Sequence, residues 1–205
     1  MTLSCNNPAC RVDNETRTRL DGATKKKSDL DKQTNMVMAI PGHTVRPVAV
    51  GDIRRPTSED YNCFTYALEL ADSEDFRFIV TNLVPSLPNE ARFVKYLLSQ
   101  LQEISAEQTV DRDIVLYFDE IGPQHAGKLF GGRVVSKWGH GFLWDHEICE
   151  VPTHYGNIVK FYRRVSREAA EAAVSGYLDY RGNSLQKNQK WRERTGTLLT
   201  ETSSS

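Results

Sequence analysis

At 205 residues and 39% hydrophobic composition, the chain has room for one ordinary domain with a real core and some polar tail. Its 26 basic residues are balanced by 27 acidic ones, so no global field marks nucleic acid or anionic lipid as a partner. No run approaches the roughly 18 apolar residues of a membrane span. The opening residues, Met1 to Pro8, lack the basic-then-apolar order of a signal peptide, and a cytoplasmic location is expected.

Residues 1–35 are polar, include Lys25, Lys26 and Lys27, and show almost no apolar periodicity, which is the composition of a flexible arm outside the core. From Met36 to Val50 the chain is apolar but broken by Pro41, Gly42 and Pro47. Extended segments are expected there, followed by turns at Gly51–Asp52 and Arg55–Pro56. Between Ser58 and Leu70 a polar turn runs into a helical apolar pattern, placing Cys63 at or near the first turn of a helix that ends about Ala71. Phe76 to Leu83 reads either as a short strand or as an apolar loop. Pro88 then opens a helix on which Phe93, Val94, Leu97, Leu98, Leu101 and Ile104 recur at spacings of three and four.

Asp113 to Phe118 is β-branched and aromatic and predicts a central strand. His125–Phe130 and Arg133–Trp138 predict a hairpin, because Gly131-Gly132 can adopt the positive φ that a tight turn requires. A further strand is expected over Glu147–Val151, a turn over Pro152–Gly156, and another strand over Asn157–Arg163. Ser166 is placed to cap a last helix, and from about Arg181 the chain is polar again apart from Trp191. These elements divide into an arm (1–35), a domain (36–182) and a tail (183–205). The fold class is α+β, with the helices gathered on one side of an antiparallel sheet.

A cysteine at a helix start has unpaired N–H groups and the positive dipole end beside it, which lower its pKa and favour the nucleophilic thiolate. Acyl transfer by such a thiolate needs a histidine within hydrogen-bond reach, a group to orient the imidazole, and N–H donors for the oxyanion. Cys63 is the candidate nucleophile and His125 the candidate base and acid. The backbone N–H of Cys63, with the side chain of Asn62 or Tyr61, would serve the oxyanion. Folding back at Gly131-Gly132 brings Ser136 or Lys137 near His125, with His140 and His146 following. His146 and Ser136 rank ahead of Lys137 as orienters, because a charged lysine has no acceptor.

Cysteine at a helix start, then His125-Ala-Gly-Lys-Leu129 on a strand, a glycine turn and a third polar residue together resemble the papain-like superfamily in its compact bacterial form. The NlpC-type cell-wall peptidases and CHAP amidases have this layout. More narrowly, residues 61–68, 125–129, 132–139 and 151–156 are similar to a poorly described group of bacterial and phage proteins of unknown function. The resemblance covers about residues 56–165. It implies a papain-like fold with helices packed on a small antiparallel sheet, and a thiol hydrolase that cleaves a protein, peptide or peptidoglycan-like amide through a thioester. Cys63 and His125 occupy the matching positions. Asn62 stands where the cell-wall enzymes have an acidic residue, and no histidine follows Gly132 at the third catalytic place.

Two rival readings remain. One is a catalytically silent binding module that grips a partner with the Trp138 to Trp144 stretch, whose tryptophans could equally line a substrate groove or plug the core. The other is a zinc hydrolase built on His125, His140 and His146. The four cysteines, Cys5, Cys10, Cys63 and Cys149, have no spaced framework and read as free thiols in a reducing compartment, with Cys149 structural. No metal or other cofactor is expected, nor is a nucleic-acid or membrane partner.

Overall fold

A computed structural model describes residues 3–5, 14–24, 30–48, 61–139 and 142–184. In chain order its first elements are β1 (Leu3–Ser4), α1 (Asn14–Thr24), α2 (Leu30–Met38), β2 (Arg46–Pro47), α3 (Cys63–Ala67), α4 (Glu74–Phe78) and α5 (Ala91–Ser99). There follow β3 (Glu103–Ile104), β4 (Ile114–Phe118), β5 (Pro123–Phe130), β6 (Arg133–Lys137), β7 (Leu143–His146), β8 (Ile158–Tyr162) and α6 (Arg167–Ser184).

The sequence of β4, Ile-Val-Leu-Tyr-Phe, is apolar at every position, which suits a strand covered on both faces. It lies between β5 and β8, and the sheet runs β1-β8-β4-β5-β6-β7-β2, with β3 also on β8. Every pairing is antiparallel. The β5–β6 hairpin turns where the sequence predicts, with φ of 56° at Gly131 and 79° at Gly132. Mixed helix and antiparallel sheet make the fold α+β.

Alternation along β4 divides the core. Val115 and Tyr117 face a cluster with Leu20, Ala23, Val37, Trp138, Trp144 and Tyr155. Ile114 and Leu116 face a second cluster with Ala67, Phe76, Phe93, Val174 and Tyr177. The sheet is therefore covered by α1 and α2 on one face and by α3 to α6 on the other. Helices gathered on one side, as read from the sequence, is corrected to helices on both.

The flexible arm is corrected with it. Strand β1 pairs with β8, and α1 buries Leu20 and Arg17 completely. The Arg17 guanidinium donates to the carbonyls of Val151 (2.9 Å) and Gly156 (2.8 Å) and to Asn157 Oδ1 (2.6 Å). A helix anchored by one arginine and few apolar side chains presents no stripe to read. Gly156, at φ 98°, lets the turn lie against the end of β4, since a Cβ there would overlap the Phe118 carbonyl. The lysine run, the turns at 51–52 and 55–56, and Trp191 lie outside the described residues.

Three local differences have clear causes. Phe76 to Leu83 is helical: Ser73 Oγ caps α4 through the N–H of Phe76 (3.0 Å), and the helix runs into a wide turn closed from Val84 N–H to Ile79 O (2.9 Å). Helix α5 stops at Ser99, so Ile104 belongs to β3 opposite Phe161. No strand covers Glu147–Val151, because the buried Glu150 carboxylate accepts from the N–H groups of Thr44 (2.7 Å) and Glu147 (3.0 Å) and folds the segment into a turn. Among the described residues no helix is long and apolar enough to cross a membrane.

If α1 is part of the core, Leu20→Ala should cost about 2–5 kcal/mol. The urea midpoint measures this, with Arg17→Met moving the same way. A detached arm would leave both midpoints at the wild-type value.

Candidate functional site

Asn62 determines where α3 begins. Its Oδ1 accepts from the N–H groups of Phe64 (3.0 Å) and Thr65 (3.0 Å), while Thr65 Oγ1 accepts from Asn62 N–H (2.9 Å), closing a capping box. Its Nδ2 donates to Pro88 O at 2.6 Å. The carboxamide proposed as an oxyanion donor is thus engaged in holding the helix start. Cys63 is the first residue of α3, which is only five residues long.

Cys63 is only half-buried, yet desolvation pushes its thiol up to about 11, against the backbone N–H groups of Ala126, Phe64 and Cys63 itself and the charge of Lys137, all of which favour the thiolate. The helix start was expected to lower this pKa. One turn and a half of helix supplies too little field to offset desolvation, and the group is a thiol at neutral pH.

The Ala126 N–H, on the peptide that follows His125, acts on the sulfur, but the imidazole does not meet it. His125 has no exposed surface, stands opposite Tyr117 in the β4–β5 register, and lies flat on Tyr155 with ring centroids 3.8 Å apart and planes 7° from parallel. Neither ring nitrogen has a hydrogen-bond partner. Burial, with His146 and His154 nearby, holds its pKa well below the usual histidine range. The expected Cys63–His125 hydrogen bond is therefore not made. The cause is alternation along β5: His125 shares the face of Tyr117, whereas Ala126 shares that of Leu116 and α3.

Ser136 and His146 do not orient His125; they bond each other. His146 Nδ1 lies 2.7 Å from the Glu147 carbonyl, which can only accept, so Nδ1 carries the proton and Nε2 is the acceptor. Ser136 Oγ–H then donates to His146 Nε2 (2.8 Å) and accepts from Trp138 Nε1–H (2.9 Å). Burial lowers the His146 pKa to about 4, in keeping with the neutral tautomer. All three side chains are sealed from solvent, as is Trp144, which stacks on Trp138 at 5.4 Å. Trp138 and Trp144 are core, not the walls of a groove.

Tyr61 is buried ahead of α3, with Lys137 Nζ 4.7 Å above its ring. Burial, with the Asp72 charge adding, raises its phenol to about 12. His154 pairs with Asp21, and His140 lies outside the described residues. Among the described residues no group of three or more His, Cys, Asp or Glu side chains converges as metal ligands would. Cys5 and Cys63 are free, but Cys149 is disulfide-bonded, which corrects the reading of four free thiols.

The sequence reading missed a cleft of about 330 Å³ beside α3, lined by Phe64, Val94, Lys95, Ile121 and Gln124 among others. Ile121 is 85% exposed on a turn that Asp119 Oδ1 holds by accepting from Ile121 N–H (2.8 Å), Gly122 N–H (3.0 Å) and Gln124 Nε2 (2.9 Å). Its sequence signal is an isoleucine set between Asp119 and Gly122-Pro123, in a turn where an apolar side chain is out of place.

Residues 52–163, more than half of the chain, match the family described as a domain of unknown function, DUF7689. The chain belongs to that family. The matched region runs from α3 to β8 and so contains Cys63, His125, Lys137 and Tyr155, leaving α1, α2 and α6 outside it. No curated protein and no solved structure matches the chain.

Two measurements follow from this geometry. Because the folded pKa of His146 lies below its unfolded value, stability should be fully present above about pH 6.5 and fall as the pH drops through about 4. His146 alone is worth about 3 kcal/mol over that window, readable as the urea midpoint against pH. A midpoint unchanged from pH 7 to 4.5 would contradict the buried neutral state. Alkylation in denaturant without reductant should label Cys5 and Cys63 and reach Cys149 only after reduction, as read by peptide mass spectrometry.

Proposed function

We propose that this chain is a papain-like thiol hydrolase that uses Cys63 and His125 on a peptide or peptidoglycan-like amide, with the pair unassembled in the state described. The observation that carries this reading is the contact of the Cys63 sulfur with the N–H of Ala126, one residue from His125, whose imidazole has no other hydrogen bond to give up. The N–H groups of Cys63 and Ala126 beside the sulfur could also serve an oxyanion one bond away. The neighbouring cleft offers apolar walls to a substrate side chain.

The chemistry requires the imidazole to leave Tyr155, cross from the α1–α2 face of β5 to the side where Cys63 lies, and take the thiol proton. The thiolate then attacks the amide carbon, the C–S bond forms, and the C–N bond breaks as the imidazolium gives its proton to the departing amine. Water, deprotonated by the same imidazole, adds to the thioester and releases the acid and the restored thiol. The Cys149 disulfide favours an oxidising compartment over the reducing cytoplasm expected from the sequence.

A second reading, a catalytically silent binding module, is favoured by the sealing of His125 under Tyr155 and by the protonated thiol. Its gripping surface would be the cleft edged by Ile121, since Trp138 and Trp144 are inaccessible.

Iodoacetamide labelling of Cys63 at pH 7 separates the two. His125→Phe keeps a ring on Tyr155 but removes the base, and should slow labelling about tenfold or more if the imidazole activates the sulfur. Equal rates in the two proteins, both rising steadily with pH toward about 11, would overturn the hydrolase proposal in favour of the binding module.

A further inference from the structure

A cavity of about 440 Å³ opens between the end of α3, the turn before β4 and the start of α6. Arg112, Arg164 and Arg167 line it, together with Glu69, Ser166 and Glu168. Two of these residues have unusual backbones: Glu69 (φ 63°) and Arg112 (φ 72°) are the non-glycine residues with positive φ among the described residues. Such residues are uncommon, and they persist where the surroundings over-determine them. Here each holds the other, since Arg112 Nη2 donates to Glu69 Oε1 at 2.8 Å. Lys128, on β5 and 6% exposed, reaches the same oxygen at 2.9 Å.

A buried carboxylate joins the two segments that carry Arg112 and Arg164. Asp113, with no exposed surface, accepts from the N–H groups of Val110 (2.9 Å) and Arg164 (2.9 Å) and from Arg163 Nη1 (2.9 Å). These three donors satisfy a charge that could not otherwise be buried, and in doing so they fix the backbone of both arginines at one cavity.

Guanidinium groups gathered in one place repel unless anions separate them. Glu69 is already shared by Arg112 and Lys128, and Glu168 is exposed. The side chains of Arg164 and Arg167 make no hydrogen bond or ion pair among the described residues. The cavity therefore holds more cationic donors than its own carboxylates can satisfy.

We propose that this cavity is an anion site, in which Arg112, Arg164 and Arg167 take the phosphoryl group of free phosphate or of a small phosphate ester. A guanidinium offers parallel N–H donors that match pairs of phosphoryl oxygens. A phosphoryl group has three terminal oxygens and a charge of about −2 at neutral pH, which suits three such forks better than the two oxygens and single charge of a carboxylate. The lining has one apolar side chain, Val165, so the ligand is polar throughout. Nothing in this assignment depends on the chemistry of Cys63.

Titration calorimetry of the full chain at fixed ionic strength, with inorganic phosphate, glycerol phosphate and acetate as probes, tests the site. Phosphate or its ester should bind saturably, and acetate about tenfold more weakly or less. Arg164→Gln and Arg167→Gln should each weaken binding about tenfold, the worth of one charge-assisted hydrogen bond. Neither side chain has a partner to lose, so both variants should keep the wild-type unfolding midpoint, which is measured alongside. Arg19→Gln, an exposed arginine of α1 on the other face of the sheet, should bind as wild type. Tighter binding of glycerol phosphate than of phosphate assigns an ester as the ligand class; the reverse order assigns the free ion. The proposal is overturned if neither binds saturably, if acetate binds as tightly as phosphate, or if Arg164→Gln and Arg167→Gln bind as wild type.

Discussion

The flat contact between His125 and Tyr155 governs what the rest of this structure can do. An imidazole sealed with both nitrogens unbonded forgoes about 1–3 kcal/mol of hydrogen bonding per unsatisfied group, and the parallel ring above it recovers part of that as stacking. The same contact keeps the ring neutral and turned from the sulfur. A histidine so held has the inventory of a general base without its geometry.

Around the sulfur, opposing effects are close to one another in space. Burial favours the thiol; three backbone N–H groups and the Lys137 ammonium favour the thiolate. Burial wins in the described state. The backbone donors are already in place, but His125 stands on the other face of β5, and bringing its imidazole to the sulfur would mean rearranging that strand.

The second organising feature is the burial of β4 on both faces. It requires cover on each side, and the side under His125 is covered by α1 and α2, which lie outside the matched family region. Arg17 joins that layer to the turn carrying Tyr155 through the carbonyls of Val151 and Gly156. The helices at the beginning of the chain therefore help to fix the ring that lies on His125, which ties an apparently peripheral segment to the state of the site.

Where local pattern determines structure, the residues declared it. The β-branched and aromatic run of β4, the Gly131-Gly132 turn, the three-four spacing of α5 and the helix start at Cys63 are all set by interactions within a few residues, and all were legible. Alternation also contained the fact that His125 and Ala126 point to opposite faces, but not which face α3 would cover. Anchoring of α1 by one arginine, the mutual bonding of Ser136 and His146, the burial of Trp138 and Trp144 and the position of Lys137 over the Tyr61 ring came only with the assembled layers. Each depends on partners dozens of residues away, and a side chain's chemistry follows from what surrounds it. The sequence by itself determined which reactive groups the chain carries and the local elements that bear them; tertiary packing alone decided which of those groups meet, because burial and partnership are properties of neighbours in space.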